Sequence, residues 1–206
     1  MARRKRSEDA TDDTPTVDVE PASVLAPTVA PAIARLHARS ELGVVPWRRP
    51  PAHLGRSQGI VVHCTGSVRP TSPEHAVQRI RRIVTAHMGA RRMVDGVNKG
   101  GRGWPHEGYH WAVTPWGEVW QLLGWGRFGS HAKTQGFNAK SHGIVLLGKG
   151  TELTDAEWSA VLWLVADHDR RFGPGFVIGH REIAGVSKAC PGPVVLERVQ
   201  ALGRGL

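Results

Sequence analysis

Only two cysteines, Cys64 and Cys190, occur in 206 residues. That excludes a disulfide-stapled scaffold, which a chain long enough to bury its own core does not need. The two could pair, stay reduced or serve a metal. No apolar run approaches the ~18 residues of a membrane-spanning helix, so a span of that kind is excluded. The basic start MARRKRSEDATDD passes into acids instead of an apolar stretch, and no secretion signal is recognisable in it. Action outside the cytoplasm would then need release by lysis or carriage in a particle. Internal repeats are also absent, which excludes a solenoid.

Acids are scarce as well: 18 Asp and Glu face 27 Lys and Arg, for a formal charge of +9. Residues 1–50 hold eight cations and seven acids, so the remaining +8 sits on residues 51–206. The folded part is therefore the basic part, and its charge suits nucleic acid, an anionic wall polymer or an acidic membrane surface. The clusters RIRR (79–82) and ARR (90–92) come with no aromatic platform or nucleic-acid motif. They read as solvated surface, and no nucleic-acid partner is expected.

Residues 1 to about 30 lack aromatics and any sustained period, and read as a disordered extension. A short helix through Ile33, Leu36 and Leu42 is expected to stop at PWRRPPAH, where proline fixes its own backbone and restricts its predecessor. The boundary falls near residue 55, giving an extension over 1–54, suited to a virion or other protein partner, and one domain over 55–206. Strands and helices then alternate. GIVVHC is a strand, and the next helix opens on Ser72 and Pro73 with Val77, Ile80, Val84 and Met88 on one face. GYHWAVTPWGEVWQLL makes two strands around Pro115-Trp116-Gly117, and HGIVLLG suits a central strand covered on both sides. Thr154 and Glu157 form a capping box for a helix with Trp158, Val161, Leu162 and Val165 inside. FVIGHR is a last strand and PVVLERVQAL a last helix. The fold class is α/β: a single domain with a central mixed sheet flanked by helices, and a metal site at one end of the sheet.

The strand GIVVHC ends in His63 and Cys64, whose side chains point to opposite faces, so at most one serves a given ion. Downstream, His180 follows a strand and Cys190 precedes Pro191-Gly192. Zinc takes imidazole nitrogen and thiolate sulfur, and a catalytic site keeps three protein ligands and one open position. His63, His180 and Cys190 would supply that set. Taken singly, each reads better as a hydrogen-bonded core histidine or an inert buried thiol than as a ligand.

Five stretches in order, VVHCTGS, GYHWAVTPWGEV, GSHAK with Asn138, GHRE and KACPG, resemble the zinc-dependent N-acetylmuramoyl-L-alanine amidases of the phage-lysozyme and peptidoglycan-recognition type. They span residues 59–192. The resemblance implies zinc (Zn2+) on His63, His180 and Cys190, a catalytic pair in Tyr109 and Lys188, and substrate contacts from His131 and Asn138, with Cys64 turned away into the core. It implies hydrolysis of the amide between N-acetylmuramic acid and L-alanine in peptidoglycan, in a phage endolysin or virion-associated lytic enzyme. Zinc chemistry agrees, since the metal can activate water and polarise an amide carbonyl. The alternative on the same fold is a non-catalytic peptidoglycan-binding module, in which the metal cysteine is typically lost. Trp104, Trp116 and Trp125 fit sugar stacking and core cover equally. His110, His142 and His168 are expected to be structural; His106, in a glycine-rich loop, reads as an exposed histidine or as a ligand contact.

Overall fold

Ser72 accepts a hydrogen bond from the His75 amide at 3.2 Å, and Pro73 fills the first helical position, so α1 (Pro73–Met88) starts where the sequence places it. The structure, a computed structural model, describes residues 32–133 and 136–206. Its strands are β1 (Arg35–His37), β2 (Gly59–Cys64), β3 (Met93–Val94), β4 (Val97–Asn98), β5 (Trp111–Val113), β6 (Glu118–Gln121), β7 (Ser141–Leu146) and β8 (Phe176–Gly179). Two more helices, α2 (Asp155–Phe172) and α3 (Pro193–Gln200), complete it.

Six strands form one mixed sheet in the order β1-β6-β5-β7-β2-β8. Only the β5–β6 hairpin is antiparallel; the other four pairings are parallel. β7 is buried along its whole length between β5 and β2, as its unbroken apolar run predicts. On one face Ala112 and Val145 pack with Ala76, Ile80, Val84 and Met88 of α1. On the other, Ile60, Val62 and Ile144 pack with Val161 and Leu164 of α2 and Val195 of α3.

Two expectations about α2 are corrected. Thr154 does cap the helix by accepting from the Glu157 amide at 3.1 Å. The Glu157 carboxylate, however, is buried and pairs with Arg69 at 2.6 Å instead of closing a capping box. The buried stripe runs through Ala160, Val161, Leu164 and Val165, leaving Trp158 and Leu162 half-buried.

Residues 32–54 pack beside the domain expected over 55–206. Residues 1–31 lie outside the described residues. Arg35–His37 forms an edge strand on β6 instead of the expected helix, and Leu42 is fully buried against α1. Arg39 donates from Nε and Nη2 to Glu107, and the Trp47 indole donates to the same carboxylate at 2.6 Å. Glu107 has no solvent exposure, so the segment supplies all the charge compensation that this carboxylate needs.

Candidate metal centre and cleft

Sheet register assembles the site. In the parallel pairing of β2 with β8, Val62 lies opposite Gly179, so His63, still paired with β7, and His180, just past the end of β8, stand side by side. Their rings are 4.4 Å apart. Gly179 then brings in the third group: a Cβ there would meet Pro191 at 2.8 Å, so only glycine lets the Cys190-Pro191 turn pack on the strand end. The Arg181 amide donates to the Cys190 carbonyl at 2.9 Å and fastens that turn to His180.

Ligand atoms of His63, His180 and Cys190 all lie within 4.8 Å of one another, and this is the metal-competent cluster among the described residues. His63 Nδ1 is 3.7 Å from Cys190 Sγ. Tetrahedral zinc separates a nitrogen and a sulfur ligand by about 3.5 Å. The donor set, two imidazoles and one thiol, fits zinc by softness as well as by spacing. Burial above all, then the neighbouring His131 and His180, holds His63 well below its ordinary pKa; burial and then Lys188 lower His180. Both imidazoles are therefore neutral at pH 7, with a lone pair to give.

Cys64 departs from expectation. It has the strand parity of Ile60 and Val62, but the core ends at Val62, so the thiol sits half-exposed on the cleft wall and reaches the Lys149 carbonyl at 3.5 Å. Its thiol stays outside the three-ligand cluster. Its backbone amide donates to Cys190 Sγ at 3.3 Å, a contact that favours thiolate there. The neighbouring Cys190 lowers the Cys64 thiol to about 7, while Cys64 and burial raise Cys190.

His131 lines the cleft and is also tied to the ligand set. It is 7 % exposed, and its Nδ1 lies 3.1 Å from His63 Nε2. Its Nε2 is 3.1 Å from the Ser141 carbonyl, which can only accept. Nε2 of His131 must therefore carry the proton, Nδ1 must accept from His63 Nε2, and His63 Nδ1 is left bare on the side of Cys190. Gly143 makes room for this relay, because a Cβ there would lie 2.5 Å from the His131 ring. His131→Phe should lower zinc affinity by roughly 10- to 100-fold. His131→Gln, whose carbonyl can accept from His63, should recover most of it. Chelator competition reads the affinity, and nitrogen NMR of the metal-free protein reads the His63 tautomer; an unchanged tautomer in His131→Phe would refute the relay.

The cleft above the cluster encloses ≈ 730 Å³. Tyr109 and Lys188 both line it, Tyr109 with its ring 5.1 Å from His63 and Lys188 exposed near His180 and Cys190. Burial, then the two cysteines, raises Tyr109 above its ordinary value, so its phenol stays protonated and acts as a donor. Asn138 lines the cleft and accepts from the Ala132 amide at 2.7 Å, which holds the loop carrying His131.

The structure adds residues that the motifs did not reveal. Arg102, Lys133 and Lys149 line the same cleft as Lys188, and His87 lies on its wall. Of the three tryptophans, Trp104 lines the cleft beneath the Arg102 guanidinium, 4.8 Å from its ring. Trp125 packs on the core and donates to Asp167, and Trp116 is outside the cleft lining. His106 is buried on the Glu107 carbonyl instead of exposed.

His110 and His142 are structural, as expected: His110 bridges the Gly143 amide and the Arg127 carbonyl, while Ser57 joins His142 to His168. Burial chiefly lowers His110 well below its ordinary value, His142 to about 3 and His87 to about 4. Below pH about 6.5 the unfolded chain takes protons that these native imidazoles refuse. Stability should then fall as pH drops, by about 1.4 kcal/mol per unit for each histidine. Urea unfolding should give a lower midpoint at pH 5 than at pH 7; equal midpoints would sink this expectation.

A family model described as N-acetylmuramoyl-L-alanine amidase matches residues 53–193. The chain belongs to that family. Peptidoglycan-recognition protein SC2 of Drosophila simulans is 27% identical over 145 residues, 68% of this chain and 71% of that protein. Drosophila PGRP-LB shares the fold at TM-score 0.70 and 22% identity, over 84% of this chain and 96% of that one. So does peptidoglycan recognition protein-LE, solved with tracheal cytotoxin, a monomeric diaminopimelic acid-type peptidoglycan, at TM-score 0.71 and 20% identity, over 83% and 95%. Family and fold match what the motifs implied.

Proposed function

We propose that this amidase-family chain is a zinc-dependent peptidoglycan hydrolase that cleaves the amide between N-acetylmuramic acid and L-alanine. One observation carries the reading: His63, His180 and Cys190 converge within 4.8 Å at a cleft that Tyr109 and Lys188 also line. His63 and His180, neutral at pH 7, and Cys190 would hold the ion. When bound, zinc supplies Lewis acidity to a water and to the scissile carbonyl.

The chain's own groups do the rest. Protonated Tyr109, on the cleft wall beside His63, would donate a hydrogen bond to the reacting oxygen and steer a proton to the departing amine. Lys188 places a fixed positive charge where the carbonyl oxygen gains negative charge. Arg102, Lys133 and Lys149 give the cleft a cationic lining that suits the carboxylates of a stem peptide, while Trp104 offers an apolar face to sugar or peptide.

The second reading, a peptidoglycan-binding module without turnover, is favoured by the recognition proteins among the curated relatives. Against it stand the Cys190 thiol and the Tyr109–Lys188 pair. In setting, the chain suits an endolysin or a virion-associated lytic enzyme, with residues 1–31 as the segment for a protein partner. Among the described residues no helix is long and apolar enough to cross a membrane. Zinc content measured together with mass spectrometry of digested peptidoglycan tests the reading. Free L-alanine amino termini on released peptides are expected, and zinc-loaded protein that binds fragments without cleaving them would make the chain a recognition module.

A further inference from the structure

We propose that the β3–β4 hairpin is a docking finger for an anionic phospholipid surface. It is independent of the amidase chemistry. Every residue from 91 to 100 is exposed, so the hairpin stands off the core. Two strands without a core face are marginal in water, yet this pair is firmly built. Asp95 and Gly96 take positive φ, 50° and 74°, as a tight two-residue turn requires. The Lys99 amide donates to the Arg92 carbonyl at 2.8 Å, and Asn98 Oδ1 accepts from the amides of Arg92 and Gly100. Asn98 Nδ2 donates to the Gly101 carbonyl at 2.8 Å and fixes the base.

Cross-strand register sorts the side chains. Val94 pairs with Val97 and Met93 with Asn98. Alternation then puts Arg92, Val94, Val97 and Lys99 on one face, valines toward the tip and cations toward the base. Val94 is 40 % and Val97 53 % exposed, and Met93 on the other face is 61 % exposed. Scattered exposed apolar residues are ordinary; two facing valines with a methionine behind them make a small apolar tip. Arg91, Arg92 and Lys99 face one acid, Asp95, over this stretch.

A soluble polyanion would pair with the cations and leave the valines in water. A bilayer surface receives both, with apolar groups at the acyl boundary and cations among the headgroups. Because Asp95 occupies the tip, the finger lies flat on its valine face instead of plunging by its end. Three residues past Lys99, Arg102 enters the cleft wall, so docking holds the cleft beside the membrane.

Flotation of the full chain with vesicles tests this. The parent should partition onto phosphatidylglycerol–phosphatidylcholine vesicles and far less onto phosphatidylcholine alone. Val94→Ser/Val97→Ser should weaken partitioning by about tenfold at unchanged charge, while leaving binding to soluble polyphosphate unchanged. Arg92→Gln/Lys99→Gln should weaken it about 25-fold, from about fivefold per cation near such a surface. Arg56→Gln/Arg82→Gln removes equal charge from exposed sites elsewhere and should cost much less. All six positions are exposed, so circular dichroism should match the parent in every variant. Parental partitioning of the valine variant, or equal losses in the two charge variants, would overturn the proposal and leave only a diffuse basic surface.

Discussion

Cys190→Ser should strip zinc from the protein and abolish turnover, while Cys64→Ser leaves both within about threefold of the parent. Small zinc sites bind their ion with roughly 10–16 kcal/mol, so one ligand of three is worth several kcal/mol and its loss on the order of 10³-fold in affinity. Serine keeps the shape but offers a hydroxyl that stays protonated, a poor zinc donor. Cys64 is the internal control, because its thiol lies outside the cluster while its backbone amide, the group that donates to Cys190 Sγ, survives the substitution. Metal analysis after dialysis against a weak chelator, run beside turnover of a muramoyl peptide, reads both. Equal zinc loss in the two variants would mean that both sulfurs hold the ion and that the site is a closed one.

Much of the fold was legible because it depends on local chemistry. Ser72, Pro73 and Thr154 announce helix starts, and the unbroken run Ile144–Leu147 announces a buried strand. The ligand trio was legible as residue types at strand ends, but its convergence depends on the pairing of β2 with β8, which no sequence period reveals. Parity assigned Cys64 to the core face correctly, yet it could not say that α2 and α3 stop covering that face at Val62. The contact of His131 with His63 leaves no trace in the motif, which marks a position and not its hydrogen bonds; Gly143, which leaves space for its ring, is the one available signal. Residues 32–54 were hidden for a similar reason. A three-residue edge strand, one buried leucine and an Arg39–Glu107 pair 68 positions apart leave no periodic trace.

Lys188→Ala and Tyr109→Phe should each keep zinc and most affinity for peptidoglycan fragments while losing rate. Neither residue belongs to the ligand cluster, so metal retention should hold within a few fold for both. Lys188 is exposed on the cleft wall, and its charge matters most once the carbonyl oxygen becomes negative, a state that the ground-state complex lacks. Its loss should lower kcat by roughly 10²- to 10³-fold with KM little changed, the usual scale for one oxyanion donor. Tyr109→Phe preserves the ring against His63 and His87 and removes only the hydroxyl. Loss of a proton-managing group lowers kcat by roughly 10²- to 10⁴-fold. Because burial keeps that phenol protonated, the parent's rate should show no loss of activity on the alkaline side that Tyr109→Phe removes, up to about pH 9. Stopped turnover of a defined muramoyl peptide, a binding titration and a pH profile for each variant separate these effects. Parental kcat in both would remove the catalytic pair from the mechanism, whereas a parallel fall in fragment affinity would make them binding groups of a recognition module.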